Sequence, residues 1–154
     1  MGKQAMAVPE IGEGKRGEAG RLGYLLRQAN HVVRQRMERS LAEIGVTPPQ
    51  FLVMTMVANY PGASGADLAR LTFLTPQTVS LIVSNLERGG AVARRPHAVH
   101  GRIQMLELTE EGQTLLARAR ELAHAIEAAL LAGTDAEEER VVRAWLVRVA
   151  LAAG

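Results

Sequence analysis

The chain has 154 residues and a formal net charge of only +2, a balance that by itself gives no argument for a nucleic-acid partner. It contains no cysteine, which excludes disulfides, cysteine-ligated zinc and thiol-based oxidant sensing. No apolar run approaches the ~20 residues that a membrane span requires. The first seventeen residues lack the apolar core of a signal peptide, so we expect a flexible N-terminal arm over 1–17 and a cytoplasmic protein.

Helical patterns dominate the first third of the chain. Apolar residues recur every three or four positions over 18–44, which predicts a first helix that stops at Gly45. Thr47 followed by two prolines predicts the start of a second, central helix, and Tyr60-Pro61-Gly62 predicts its end.

Two short helices are predicted next. Ser64 is placed to cap a helix over 65–71, and Thr75 with Pro76 is placed to begin another that ends at Gly89-Gly90. Helix, short turn and helix is the arrangement of a DNA-reading helix-turn-helix. The apolar side chains expected to form the core that these helices share are Leu68, Leu74, Val79 and Ile82.

A basic hairpin is predicted after these helices. Residues 92–95 and 103–108 each suit a strand, and no acidic residue occurs between Arg88 and Arg102. A hairpin that follows a helix-turn-helix is typical of a wing, and this combination is more specific to DNA binding than two helices alone. The basic stretch predicts an anionic partner, and the alternative is a solvated basic loop.

Polar side chains on the outer face of the second short helix predict contacts to base edges and phosphates. Arg102, next to Gly101, is expected to enter a narrow minor groove, and two arginines at the wing base are expected to hold phosphates. The alternative is an ordinary solvated face, with Leu81 as its one apolar member. The predicted DNA-contacting residues are Ser64, Thr75, Gln77, Thr78, Ser80, Ser84, Arg94, Arg95 and Arg102.

The C-terminal part predicts two more helices. Thr109 is placed to cap the first, and Thr134-Asp135-Ala136-Glu137 fits a capping box for the last. The last helix carries the apolar stripe Val141, Val142, Trp145, Leu146 and Val149. With the first helix, these helices expose more apolar surface than one small domain covers, which predicts pairing with a second copy. The alternative is a self-contained helical core.

Three stretches make the chain over about 21–154 resemble the MarR family of winged-helix regulators. They are Leu-Thr-Pro-Gln-Thr-Val-Ser at 74–80, Leu-Glu-Arg-Gly-Gly-Ala-Val at 86–92, and Arg-Ile-Gln-Met-Leu-Glu-Leu-Thr-Glu-Glu-Gly at 102–112. The resemblance implies that the helix matching 75–88 enters the major groove and that Arg102 enters the minor groove. The chain has His100 where the family usually has Asp, and Leu81 where Arg is common.

The resemblance also implies a domain plan. One MarR-like domain covers 18–154, with a winged-helix DNA-binding lobe at 64–109 and homodimerisation helices at 18–45 and 110–154. The expected fold class is therefore all-α with a small β-hairpin wing. The family's effector pocket lies between such dimerisation helices and the DNA-binding lobe.

Tyr24, Arg27 and His31 recur along one side of the first helix and are the predicted ligand-binding residues. An aromatic wall, a fixed cation and a titratable donor suit an aromatic or acyl carboxylate, and the alternative is hydrogen bonding at a dimer seam. His97 and His100 lack a third ligand nearby, so we expect no metal and no cofactor.

No nucleophile–base pair, phosphate loop or paired-carboxylate motif is found in the sequence, so we do not expect an enzyme. The sequence predicts a homodimeric repressor of a pseudo-palindromic operator on double-stranded DNA, released by a small-molecule effector. The alternative is a winged-helix dimerisation or protein-interaction module without specific DNA binding, which the residues at 81 and 100 favour.

Overall fold

A computed structural model of the chain describes residues 7–96, 99, 101–102 and 104–152. After a 3-10 helix at Gly14–Arg16, the elements are α1 Leu22–Ala42, α2 Pro48–Asn59, α3 Gly65–Thr72, α4 Pro76–Arg88, β1 Val92–Pro96, β2 Gln104–Leu108, α5 Glu110–Leu130 and α6 Ala136–Leu151. The prediction of a helical fold with one small hairpin is confirmed. None of the helices in these ranges is long and apolar enough to cross a membrane. The chain forms two compact units, Met1–Arg36 and Met37–Gly154.

In the first unit, the segment before α1 is hydrogen-bonded to that helix. Arg16 Nε donates to Gln28 Oε1 at 3.4 Å, and Gln28 Nε2 donates to the Arg16 carbonyl oxygen at 3.0 Å. Arg16 Nη1 also donates to the Pro9 carbonyl oxygen at 2.5 Å. Residues 7–17, which the sequence suggested as part of a flexible arm, therefore include a short helix and specific contacts.

The second unit is built around α2, on which Val53, Met54 and Val57 are buried. Thr47 starts this helix with a capping box, because its side chain accepts from the Gln50 amide and the Gln50 side chain accepts from the Thr47 amide. The helix packs against α3, α4, α5 and β2. The predicted shared core is confirmed: Leu68, Val79 and Ile82 are buried, and Leu74 packs against them.

The hairpin is antiparallel, with Val92 opposite Leu108 and Pro96 opposite Gln104. Because side chains alternate along a strand, this register places consecutive residues of β1 on opposite faces. In β2, Leu106 is buried and the adjacent Met105 is half-buried.

The cap of α6 differs from the predicted one. The N-cap is Asp135 with Glu138 as its capping-box partner, one residue later than the predicted Thr134 and Glu137. The reason is that the Asp135 carboxylate accepts from two backbone amides, at 2.9 and 2.8 Å, and a charged acceptor satisfies the helix start better than a single hydroxyl.

The apolar stripe of α6 is exposed in the single chain. No residue of this helix is buried. Val141, Val142, Leu146 and Val149 are each about half exposed, and Trp145 of the same stripe is half-buried. Within the second unit, the described residues therefore cover the apolar face of α6 only in part.

Candidate nucleic-acid interface

The N-terminal end of α4 presents short polar groups to solvent. Thr75 is the N-cap, and its hydroxyl accepts from the Thr78 amide at 3.2 Å and lies 2.9 Å from the Thr78 hydroxyl. Gln77 is exposed beside them. Proline at 76 gives the first helical residue its required φ without removing a hydrogen bond from the helix.

Helix α4 has a buried apolar face and an outer face that is largely polar. Val79, Ile82, Val83 and Leu86 are the buried residues of this helix. Ser80 is exposed and Ser84 half-buried on the other side. Leu81 is 62% exposed, so it belongs to the outer face and not to the core. On the same face Arg88 donates to the Asn85 side chain.

Arg94 and Arg95 are both held in ion pairs, on opposite faces of the hairpin. Arg94 Nε donates to Glu87 Oε1 of α4 at 2.8 Å, whereas Arg95 Nε donates to Glu107 of β2. Arg102 is exposed and makes no ion pair within the described part of the chain. The wing arginines are thus not equivalent, which their positions in the sequence do not reveal.

Ser64 is the N-cap residue of α3, and its side chain and amide are hydrogen-bonded to Asp67. Its hydroxyl donates to Asp67 Oδ2 at 2.6 Å and accepts from the Asp67 amide at 3.2 Å. Its amide donates to the same carboxylate at 3.0 Å. These bonds, with an ion pair from Arg70, lower the pKa of Asp67 from 3.8 to about 2. A phosphate would have to compete with Asp67 for the single Ser64 hydroxyl proton.

The three predicted ligand-binding residues lie together in the first unit. Tyr24, Arg27 and His31 line one surface concavity of about 330 Å³, which is completed by Gln28, Asn30 and Arg34. Its volume is at the lower end of small-molecule sites. The six lining residues that the structure describes all belong to α1, so they form a groove along that helix.

Sequence reasoning missed a second cavity, of about 410 Å³, beneath the hairpin. Its walls come from the end of α2, the following turn, both strands and the start of α5, and Arg95 and Glu107 line it together. No local pattern predicts it, because its residues are distant in the sequence.

Within the ranges that the structure describes, no group of three or more His, Asp or Glu side chains is arranged to hold a metal ion. His97 and His100, which are not expected to form a metal site, lie outside the described residues.

A helix-turn-helix followed by an antiparallel hairpin, with a basic residue near the hairpin tip, defines a winged helix-turn-helix protein. Residues 44–103 match the sequence model of the MarR family. The HTH-type transcriptional repressor Rv2887 of Mycobacterium tuberculosis is 35% identical over 128 residues, covering 83% of this chain and 92% of that protein. The chain belongs to the MarR family, which confirms the resemblance found in its sequence.

Solved structures support the same assignment. The crystal structure of M. tuberculosis Rv2887 in complex with DNA has a TM-score of 0.69 and 33% identity, covering 84% of this chain and 98% of that one. The complex of Rv2887 with salicylic acid has a TM-score of 0.68 and 34% identity, covering 86% and 98%. The PcaV transcriptional regulator of Streptomyces coelicolor, with its natural ligand, has a TM-score of 0.77 at 26% identity and covers 97% and 100%.

Proposed function

We propose that this chain is a homodimeric transcriptional repressor that binds a pseudo-palindromic operator and is released from it by a small aromatic or acyl carboxylate. The observation that carries the proposal is the exposed polar face of α4, with Thr75, Gln77 and Thr78 at its start, in the same lobe as an exposed wing arginine, Arg102. The structure of the relative Rv2887 with DNA supports it. The role is non-enzymatic, and the chain acts in the cytoplasm.

In this proposal α4 enters the major groove. Gln77 donates to and accepts from base edges, and Leu81 contacts a thymine methyl group from the same face. Thr75 and Thr78 contact phosphate at the helix start, where free amides and the helix dipole favour an anion. Ser80 and Ser84 supply further hydroxyls along the groove.

The wing supplies the electrostatic part of binding. Arg102 inserts into the minor groove, where negative potential concentrates. Arg94 and Arg95 are proposed phosphate contacts as well, but each must first give up or share its carboxylate partner. Ser64, at the start of α3, is proposed to contact the phosphate backbone of the DNA.

The exposed stripe of α6 is proposed to pack against a second copy. Deleting residues 134–154 should therefore yield monomers or aggregates, which light scattering would measure. A well-folded dimer after that deletion would contradict the arrangement. A dimer carries two reading helices, so the operator should contain half-sites separated by ~10 base pairs.

The effector site proposed here is the groove formed by Tyr24, Arg27 and His31. Arg27 supplies a permanent positive charge for a carboxylate, and Tyr24 supplies an aromatic surface. The relative Rv2887 forms crystalline complexes with salicylic acid, which is an aromatic carboxylate of this kind.

Fluorescence anisotropy with the DNA upstream of the gene tests the proposal directly. We expect tighter binding to a defined site than to unrelated duplex at the same salt concentration, by a factor of about 10³ or more. Equal affinity for both duplexes across a salt titration would instead favour a winged helix used for protein contact.

A further inference from the structure

The ion pair between Glu87 and Arg94 lies where α4 meets the wing, on the proposed DNA-binding surface. The pair joins α4 to β1 at 2.8 Å, and the two side chains remain 28% and 42% exposed. A carboxylate near bound DNA repels phosphate, and Glu87 also lies in the last turn of α4, where the helix dipole disfavours a negative charge. The interaction of Glu87 that the structure shows is its bond to Arg94, which joins α4 to the wing.

Arg94 is the group that Glu87 affects most directly. Its Nε is bonded to the carboxylate, so the charge that would attract phosphate is largely compensated within the protein. A phosphate contact by Arg94 therefore replaces one anionic partner with another, and it displaces few counterions from DNA. Arg102 has no such partner among the described residues.

We propose that Glu87 is an affinity-limiting residue of the DNA-binding surface, which holds Arg94 and reduces its contribution to phosphate binding. This inference rests on the proposed function, because it requires that the α4 and wing surface bind DNA. The consequence is regulatory. Effectors typically change the affinity of the second ligand about 5–150-fold, so a repressor with a much higher basal affinity would stay on its operator when the effector binds.

The test is Glu87→Gln, measured by anisotropy on operator and on unrelated duplex. Glutamine still accepts a hydrogen bond from Arg94, so the substitution removes the charge and keeps the shape. At about 0.15 M salt we expect both duplexes to bind on the order of fivefold more tightly. The slope of the logarithm of the binding constant against the logarithm of the salt concentration should become steeper by about 0.9. The matched control is Glu137→Gln, which removes the same charge from an exposed pair with Arg140 on α6 and should change neither value.

Arg94→Ala provides the second half of a double-mutant cycle. It should weaken binding less than Arg102→Ala does. In the Arg94→Ala background, Glu87→Gln should leave the salt dependence of binding unchanged, because no arginine remains to be released for a phosphate contact. Unchanged or weaker binding by Glu87→Gln, together with weaker binding by Arg102→Ala, would overturn this inference alone. If Arg102→Ala also bound both duplexes normally, the proposed DNA surface itself would be wrong.

Discussion

The first turn of α5 lies directly against the turn that precedes the hairpin. A β-carbon at Gly112 would stand 1.9 Å from the carbonyl oxygen of Ala91. The same carbonyl accepts from the Thr109 amide at 3.1 Å, and the Thr109 hydroxyl donates to the Gly90 carbonyl oxygen at 2.5 Å. These contacts fix α5 to the junction between α4 and the wing.

Gly112→Ala should therefore be destabilising, although alanine usually favours a helix. The added methyl group meets backbone and not a movable side chain, so we expect a loss of about 1–3 kcal/mol in the free energy of unfolding. Urea denaturation followed by circular dichroism measures it. Gly65→Ala is the control, because Gly65 is at the start of α3 with nothing within 4 Å of its β-position. Equal stability of the two variants would show that Gly112 is not in close contact.

Phe73, in the turn between α3 and α4, should show the opposite behaviour. It has a left-handed backbone, with φ 57° and ψ 25°, and it is 95% exposed. A left-handed conformation costs roughly 1–2 kcal/mol for a residue with a β-carbon, and this exposed side chain recovers little by burial. Phe73→Gly should raise the stability by about 0.5–1 kcal/mol after the greater unfolded-state entropy of glycine is subtracted.

Phe73→Ala is the control for that measurement. Alanine removes the aromatic ring but keeps the β-carbon and its backbone cost, so its stability should stay near that of the parent protein. If glycine and alanine gave the same stability at position 73, the left-handed backbone would not be the cause.

Much of the fold was predictable because its signals are local. Thr47, Ser64, Thr75 and Thr109 each cap the helix that the sequence assigned to them. A capping bond joins residues only two or three apart, so residue type and spacing are nearly sufficient to predict which residue caps a helix. At α6 two adjacent residues could both cap, and the choice of Asp135 depended on the better acceptor.

The electrostatics of the candidate site were not predictable in this way. Glu87 and Arg94 are seven residues apart and belong to different elements, and Arg95 meets Glu107 only through the hairpin. The absence of acidic residues from 89–101 predicted an anionic partner for the wing arginines, but Arg94 and Arg95 each pair with a glutamate of this chain outside that stretch. Similarly, the hydrogen bond that the Ser64 hydroxyl donates to Asp67 is recognised only from the geometry of α3.

The Asp67 cap predicts a specific pH dependence. Hydrogen bonds from the Ser64 side chain and amide, with Arg70, lower the pKa of Asp67 to about 2. Its ionised form therefore stabilises the folded protein at pH values above the ordinary pKa of 3.8, and this contribution is lost as the pH falls towards 2. Because the Asp67 side chain is 44% exposed, screening by solvent reduces its contribution to the free energy of unfolding to about 1 kcal/mol.

Asp67→Asn measures this contribution. The variant should be less stable than the parent protein at neutral pH, and the difference in urea midpoint should shrink between about pH 5 and pH 2. A difference that stayed constant over that range would mean that the asparagine changes packing and not charge.

Two variants separate the electrostatic and base-reading parts of operator binding. Arg102→Ala should weaken binding by ~1–3 kcal/mol and reduce the salt slope by about one phosphate contact. Gln77→Ala should leave the salt slope nearly unchanged, because a neutral amide displaces no counterion. It should instead relax the sequence preference at a few base positions, because the amide reads base edges. Binding to a panel of single-base operator variants at several salt concentrations distinguishes them. Parental behaviour in both variants would favour a protein-interaction role for the winged helix.

The effector response should depend on Arg27. Aromatic carboxylates such as salicylate are expected to weaken operator binding about 5–150-fold, which is the usual range of allosteric coupling. The chain has no thiol, and methionine oxidation is slow and scattered over several residues, so peroxide at moderate concentration should not release DNA. Chelators should also have no effect, since the described residues contain no metal cluster.

Arg27→Ala should abolish the response to the carboxylate and keep the affinity for DNA, because the residue is on α1 and not in the winged helix. Isothermal titration of the ligand and anisotropy with the operator should be measured on the same preparation, so that loss of binding and loss of coupling can be separated. A ligand moves the equilibrium only by its differential affinity for the free and DNA-bound protein. If Arg27→Ala bound and responded like the parent protein, the effector would occupy another site, and the cavity between α2, the hairpin and α5 would be the next to test.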